Sequence, residues 1–290
     1  MVILVYVLAV FFTVSQSTVT KLYHRRGGSA LVFNALKGAA ALLMFAVMSL
    51  VQGFTFHLPT LFFGLAYGAL LSVSMISGYK ALCLGPMALT SMLVSFSVVI
   101  PLLWGLTVGE ERLSPFRIVA LCLLLCTILL TNGDKLLALR RGEKGGGRNY
   151  VLWLLLVGAT FLANGISSIL QKQHQVLYPE AYSGEFMLFA MAVCALAYVS
   201  LALLRVRPAV FRRTRGKWFA AYSGVANGLA GFFTLILAGM ENATVLFPIL
   251  SAGTLLGVLL AGRLVLRETL KINHYIALLL GAVCVVLLKL

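Results

Sequence analysis

Apolar residues run along this chain in long stretches, at about 2–20, 29–51, 58–80, 86–106, 115–133, 150–171, 183–204, 217–238, 244–264 and 273–289, each closed by a turn or charge signal. A helix rising about 1.5 Å per residue needs roughly 20 apolar residues to cross a hydrocarbon core about 30 Å thick. The pattern therefore predicts an all-α integral membrane protein of ten transmembrane helices, with little chain left for a soluble domain. The opening stretch, MVILVYVLAVFF, lacks the basic start and small-residue cleavage site of a signal peptide and is read as the first span. The one long polar connection runs from Asp134 to Asn149 with GEKGGGR at its centre, and its composition predicts a flexible linker. Residues 1–133 and 150–290 then each hold five helices.

The two halves resemble each other. Glu111-Arg-Leu113 aligns with Glu268-Thr-Leu270 at an offset of 157, each opening the last helix of its half. GLAYG at Gly64 to Gly68 aligns with GVANG at Gly224 to Gly228 at an offset of 160. Thr13, Ser17, Thr20 and Lys21 fall on Asn164, Ser168, Gln171 and Lys172 at an offset of 151. Five is an odd number of crossings, so the second half enters the membrane from the opposite side. The repeats are thus expected to be inverted, the arrangement from which many secondary transporters build a central site with alternating access.

Charge changes the picture in one respect, orientation. Hydrophobic residues make up 61% of the 290 and charged residues 11%, against about half and about a quarter in soluble domains, which excludes a soluble reading. The net charge of +15 would point a soluble protein toward nucleic acid, but here the basic residues cluster in short connections. Lys21, Arg25, Arg26, Lys80, Lys135, Arg140, Arg141, Lys144, Arg148, the run from Arg205 to Lys217, Arg263, Arg267 and Lys271 all fall in or beside odd-numbered connections. By the positive-inside rule those connections are cytoplasmic and both termini lie outside. The Arg205 to Lys217 run also suits anionic lipid headgroups. The five cysteines and four histidines show no metal-ligand spacing, so packing thiols and no metal or cofactor are expected.

Ionisable residues inside a span are functional candidates because their charge is costly in lipid. No Asp or Glu sits near the middle of a predicted span, and Lys37, about nine residues into the second, is the deepest cation. It either snorkels toward the headgroups or lines a solute path. Lys21, Lys80, Lys172 and Arg263 stand at helix ends, where interfacial anchoring is expected. Glu111 and Glu268 suit the starts of the fifth and tenth helices. A prenyl-protein metalloprotease pattern, EExxxR, would need Arg where Pro115 stands.

Neutral polar residues repeat on helical faces instead: Thr13 and Ser17 in the first helix, Asn164 and Ser168 in the sixth, Tyr67 and Ser74 in the third, Asn227 and Thr234 in the eighth. Ser91 and Ser95 with Pro101 in the fourth helix, and Ser251 and Thr254 with Pro248 in the ninth, add hydroxyls beside prolines that free backbone carbonyls. Together with Lys37 these are the candidate substrate-binding residues. Each hydroxyl has the alternative of bonding to its own preceding turn. The glycine pairs Gly64 with Gly68 and Gly224 with Gly228 are small-xxx-small faces for close helix contact.

The segment Y-K-A-L-x-x-G-P-M-A from Tyr79 to Ala88, the proline of the fourth span, G-E-E-R-L from Gly109 to Leu113, and in the second half LFP (Leu246 to Pro248) and R-E-T-L (Arg267 to Leu270) give the whole chain a resemblance to the EamA type of the drug/metabolite transporter superfamily. The resemblance implies a ten-helix basket with a cavity lined by the first, third, fourth, sixth, eighth and ninth helices. Related members move amino acids, amines, nucleotide sugars, purines or drugs.

The expected function is thus secondary transport of small polar or amphipathic solutes, such as amino acids, amines or metabolites, across the plasma (inner) membrane by alternating access. The expected protein is a monomer or homodimer with no enzymatic activity. A lipid flippase or scramblase and an intramembrane enzyme are the alternatives. Alkaline phosphatase fused to Leu290 is expected to be active and green fluorescent protein at the same place dark; the reverse pair would invert the orientation.

Overall fold

The computed structural model describes residues 2–25, 29–84, 90, 93–109, 114–140, 147–179, 182–206, 216–265, 267 and 272–288. They form α1 (Val2–Arg25), α2 (Ala30–Gln52), α3 (Leu58–Leu84), α4 (Val99–Thr107), α5 (Pro115–Arg140), α6 (Gly147–Leu177), α7 (Ser183–Arg205), α8 (Lys217–Met240), α9 (Ala243–Leu264) and α10 (Ile272–Leu288), with no strand among the described residues. Seven of these helices, α1, α2, α3, α6, α7, α8 and α9, are long and apolar enough to cross a membrane. Shorter apolar helical stretches cover Leu93–Thr107, Pro115–Leu130 and Tyr275–Leu288. Their outer faces carry side chains such as Leu50, Leu204, Leu196 and Leu279, each more than two-thirds exposed. Such a surface suits hydrocarbon and not water, and the chain is a multi-pass helical membrane protein.

Local chemistry sets the helix ends. Ser114 and Pro115 open α5 in the preferred order, an N-cap hydroxyl accepting from Arg117 N at 3.3 Å and a proline at the first helical position. Gly53 closes α2 at φ 85°, a backbone region open to glycine. A 3-10 turn, Phe96–Val98, precedes α4, where Pro101 removes one amide and crowds the carbonyl four residues back. Helix enters both ends of the stretch expected to be a linker, because α5 runs through the good helix formers Lys135 to Arg140 and α6 begins at Gly147. Residues 141–146 lie outside the described residues, as do Glu111, Glu268 and 207–215 of the basic run.

The chain divides into two compact units, Met1–Ser72 with Leu170–Met240 and Leu260–Arg267, and Val73–Ile169 with Glu241–Leu259 and Glu268–Leu290. In the first, α1 packs on α8, α2 packs on both α7 and α8, and the first part of α3 lies on α7. Its core holds Ala41, Phe45, Tyr67, Phe186, Met187, Ala190, Met191 and Leu235. In the second, α5 packs on α10, where the Cys284 thiol donates to Ala120 O at 3.1 Å, and the rest of α3 lies on α6.

Both glycine pairs are contact faces. Gly64 and Gly68 of α3 receive the backbone of α7: a methyl group at Gly64 would lie 2.9 Å from Phe186 O, and one at Gly68 would collide with Ala190 O. Gly224 and Gly228 of α8 receive α2, Gly224 against the carbonyl oxygen of Lys37 and Gly228 against the side chains of Met44 and Phe45. Gly158 of α6, by contrast, has nothing within 4 Å of where a Cβ would stand. Gly224→Ala should therefore destabilise the detergent-solubilised protein by about 1–3 kcal/mol. Gly158→Ala should leave thermal unfolding unchanged or raise its midpoint, since helical alanine is favoured over glycine by about 1 kcal/mol.

Candidate functional site

The small residues of α2 decide how Lys37 is placed. In the run Lys37-Gly-Ala-Ala-Ala41, Gly38 lets α7 approach until a methyl there would be 3.1 Å from the Tyr198 ring and 3.2 Å from Ala195 Cα, while Gly224 brings α8 onto the other side of the same turn. With two faces of the turn closed by neighbouring backbones, the lysine stem runs to α1, and Nζ donates to Gln16 Oε1 at 2.7 Å. Lys37 as a residue is half-buried, and among the described residues no carboxylate lies within ion-pair distance of its ammonium. The same stretches of α1 and α8 carry neutral polar groups one turn from Gln16 and beside Gly224. The Thr20 and Ser223 hydroxyls meet at 3.2 Å, and the half-buried amide of Asn227, one turn beyond Ser223, has no hydrogen-bond partner among the described residues.

The second unit brings two other candidates together. Ser74 Oγ of α3 donates to Asn164 Oδ1 of α6 at 2.6 Å, and one turn along, Ser77 and Thr160 share a hydrogen bond at 2.8 Å. Thr13, Ser17, Ser168 and Thr234 instead donate to the carbonyls of Ala9, Thr13, Asn164 and Ala230 in their own helices. These four realise the local alternative, which shortens their reach toward any solute. Tyr67 is buried against Phe186, ring centroids 5.1 Å apart, within the first unit's core. Ser251 and Thr254 are half-buried on α9 and Ser95 is exposed; Ser91 lies outside the described residues.

A polar cluster that the spacing of the histidines did not announce sits in the first unit. The run Gln171-Lys-Gln-His-Gln175 ends α6, and the structure buries Gln171, Lys172, His174 and Gln175. Lys172, expected at the interface, donates to Ala238 O of α8 at 2.9 Å, and Gln171 to Gly231 O at 3.4 Å. His174, fully buried, has Nε2 3.1 Å from Thr60 Oγ1, whose oxygen is 2.9 Å from His57 Nδ1. Gln175 Nε2 lies 3.3 Å from His174 Nδ1 and 3.0 Å from Ser183 Oγ.

An amide nitrogen only donates, so neutral His174 accepts at Nδ1 and carries its proton on Nε2. That proton goes to Thr60, and the Thr60 hydroxyl donates to His57, which gives the chain one direction. His57 stacks on Tyr182 at 4.3 Å and meets the edge of Tyr178 at 4.7 Å; Phe63 and Phe186 flank His174. The visible signal was five consecutive polar residues at a helix end, more than one solvated face requires. Glu185, the one acid in the first turn of α7, accepts from Thr55 N and Oγ1 at 3.2 and 2.9 Å and ties the α2–α3 connection to that helix start.

Chemically, these groups supply neutral hydrogen bonds and two cations, Lys172 on a backbone carbonyl and Lys37 on an amide oxygen, the latter with no carboxylate in ion-pair distance among the described residues. No cluster of three or more His, Cys, Asp or Glu able to hold a metal occurs among the described residues.

No protein-family model and no curated protein matches the chain. Solved structures do: 28 chains match, among them a crystal structure with TM-score 0.78 at 18% identity, covering 99% of this chain and 98% of that one. That likeness is one of fold and runs the full length of both chains.

Thr60→Val should cost about 1–3 kcal/mol in thermal unfolding, since it leaves the buried Nε2–H of His174 without an acceptor, whereas Thr60→Ser should stay near wild type. Equal midpoints for the two variants would show that the chain contributes nothing.

Proposed function

We propose that this chain is a secondary transporter of the EamA drug/metabolite type, with ten spans in two inverted five-helix repeats, moving small polar or amphipathic solutes across the plasma membrane by alternating access. The observation that carries the reading is an exchange of partners between the halves. The GxxxG face of α3 packs on α7, and the equivalent face of α8 packs on α2, the helix that corresponds to α7 in the other half. Three further pairings follow the same rule: α2 meets its own repeat mate α7, α5 meets α10, and the α1·α8 contact recurs as α3·α6. Two copies of one motif that trade partners in this way fit a two-fold relation, as inverted repeats require.

Solute recognition would rest on neutral amides with Lys37 as the one charge. In the first unit the Asn227 amide, with no hydrogen-bond partner among the described residues, and in the second unit Asn164, held by Ser74, are each able to bond a ligand. Without a deep carboxylate to alternate between proton and solute, the expected mode is facilitated transport down the solute's own gradient. Both termini would face outside, with the basic connections cytoplasmic.

Proteoliposomes tested by counterflow with pools of amino acids, amines, carboxylates and nucleosides should show solute-specific exchange. Asn164→Leu or Asn227→Leu should lower its initial rate about tenfold or more, and Glu111→Gln far less. Absence of exchange with every pool, or an imposed pH gradient driving uphill uptake that a protonophore abolishes, would overturn the carrier reading or its uncoupled form respectively.

A further inference from the structure

The ammonium of Lys37 has three protons to donate and, among the described residues, one acceptor, the neutral amide oxygen of Gln16. It stands seven residues into α2, about 10 Å along that helix, and it turns to α1 instead of to the helix end. A cation held among helices in hydrocarbon is costly unless an anion compensates it, and an amide oxygen carries only a partial charge. Within the first unit's described residues no carboxylate is in reach, and the ionisable side chain nearest in its electrostatics is the Cys194 thiol of α7, engaged with Gly68 O and Ser72. Glu185 is the one acid there, and it is engaged with Thr55 beyond the far end of α2, about 22 Å of helix from Lys37. The other cation buried in this unit, Lys172, is directed to Ala238 O of α8.

We infer that Lys37 and Gln16 form the recognition point for a singly charged anionic group, the carboxylate of a small organic acid. One cation matches one negative charge. A phosphate dianion would call for a second, which the neighbouring Thr20, Ser223 and Asn227 do not provide. The carboxylate takes the two free ammonium protons, and Gln16 keeps the third, holding the stem against α1 so that the charge is in place before the ligand arrives. Asn227 is placed to serve the neutral part of the ligand, since it follows by three residues the glycine at which α8 touches the Lys37 carbonyl. A primary amine finds no counter-anion here. The site therefore selects carboxylates over amines of the same size. Its role in a transport cycle rests on the carrier reading; its existence as a binding site does not.

Thermal unfolding of the full-length protein in detergent tests this with propionate and benzoate, their amides, propylammonium, benzylammonium and inorganic phosphate, at constant ionic strength. The two carboxylates should raise the midpoint saturably, and the amides, ammonium ions and phosphate should not. Lys37→Met should weaken the apparent carboxylate affinity about ten- to hundredfold. Gln16→Glu keeps the fold testable where Lys37→Met fails to fold: it sets a carboxylate against the ammonium, so the unliganded midpoint should rise and the response to added carboxylate should vanish.

No response to either carboxylate, an equal response to the amides, a response to phosphate alone, or an unchanged response in Gln16→Glu would each overturn the proposal. Saturable carboxylate binding without counterflow in proteoliposomes would sustain the site and sink the carrier reading. Counterflow of amines or nucleosides without carboxylate binding would do the opposite.

Discussion

Helices that sit in hydrocarbon gain nothing by hiding leucine from leucine, because lipid tails are as apolar as the side chains they would replace. What holds such helices together is the distance to which their backbones can approach and the hydrogen bonds they exchange once there. In this protein the approach is made at glycine. Gly224 takes the carbonyl of Lys37, Gly68 the carbonyl of Ala190, and Gly165 the side chain of Ile100, each with no room for a methyl group. The placing of α8 and α7 about α2, and so the direction in which Lys37 points, follows from the Gly224 contact together with that of Gly38 on Tyr198 and Ala195.

Polar groups inside the helices bond in two ways. Most hydroxyls turn back on their own helix, as Thr13, Ser17, Thr18 and Thr234 do, which satisfies the donor and leaves little for a partner. Some polar groups also cross between helices and give the packing its register: Ser74 with Asn164, Trp153 Nε1 with Thr90 at 2.8 Å, and, while still bonded to their own turns, Ser77 with Thr160 and Thr20 with Ser223. Such crossings are worth on the order of 0.6 kcal/mol each in membrane helices, so they choose among packings more than they stabilise any one. The Lys37–Gln16 pair is a crossing of a different kind, since it brings a full charge inward and, among the described residues, leaves two of the ammonium protons without an acceptor.

Much of the fold was legible because the membrane simplifies the code. Length and apolarity mark a spanning helix without reference to its neighbours, and seven such helices are present. The glycine pairs were legible as contact faces for a similar reason, since small residues four apart in an apolar helix have few other uses. The polar stripes were legible as stripes and not as a site. A serine on a helical face looks the same in sequence whether it bonds to its own turn, as Ser17 does, or to another helix, as Ser74 does.

The sequence by itself determined that this is a helical membrane protein, marked seven membrane-length helices and placed the glycine faces on which helices meet, because each depends on spacing within one helix. Only the tertiary structure decided which helix meets which, and with it the partners of every polar side chain. It placed Gln16, an unremarked residue of α1, on the Lys37 ammonium, and it joined His57 to His174 through Thr60 across 114 positions of chain between Thr60 and His174. The physical reason is that a hydrogen bond between helices depends on two backbones arriving within about 3 Å of reach at one depth. Neither helix carries that information alone.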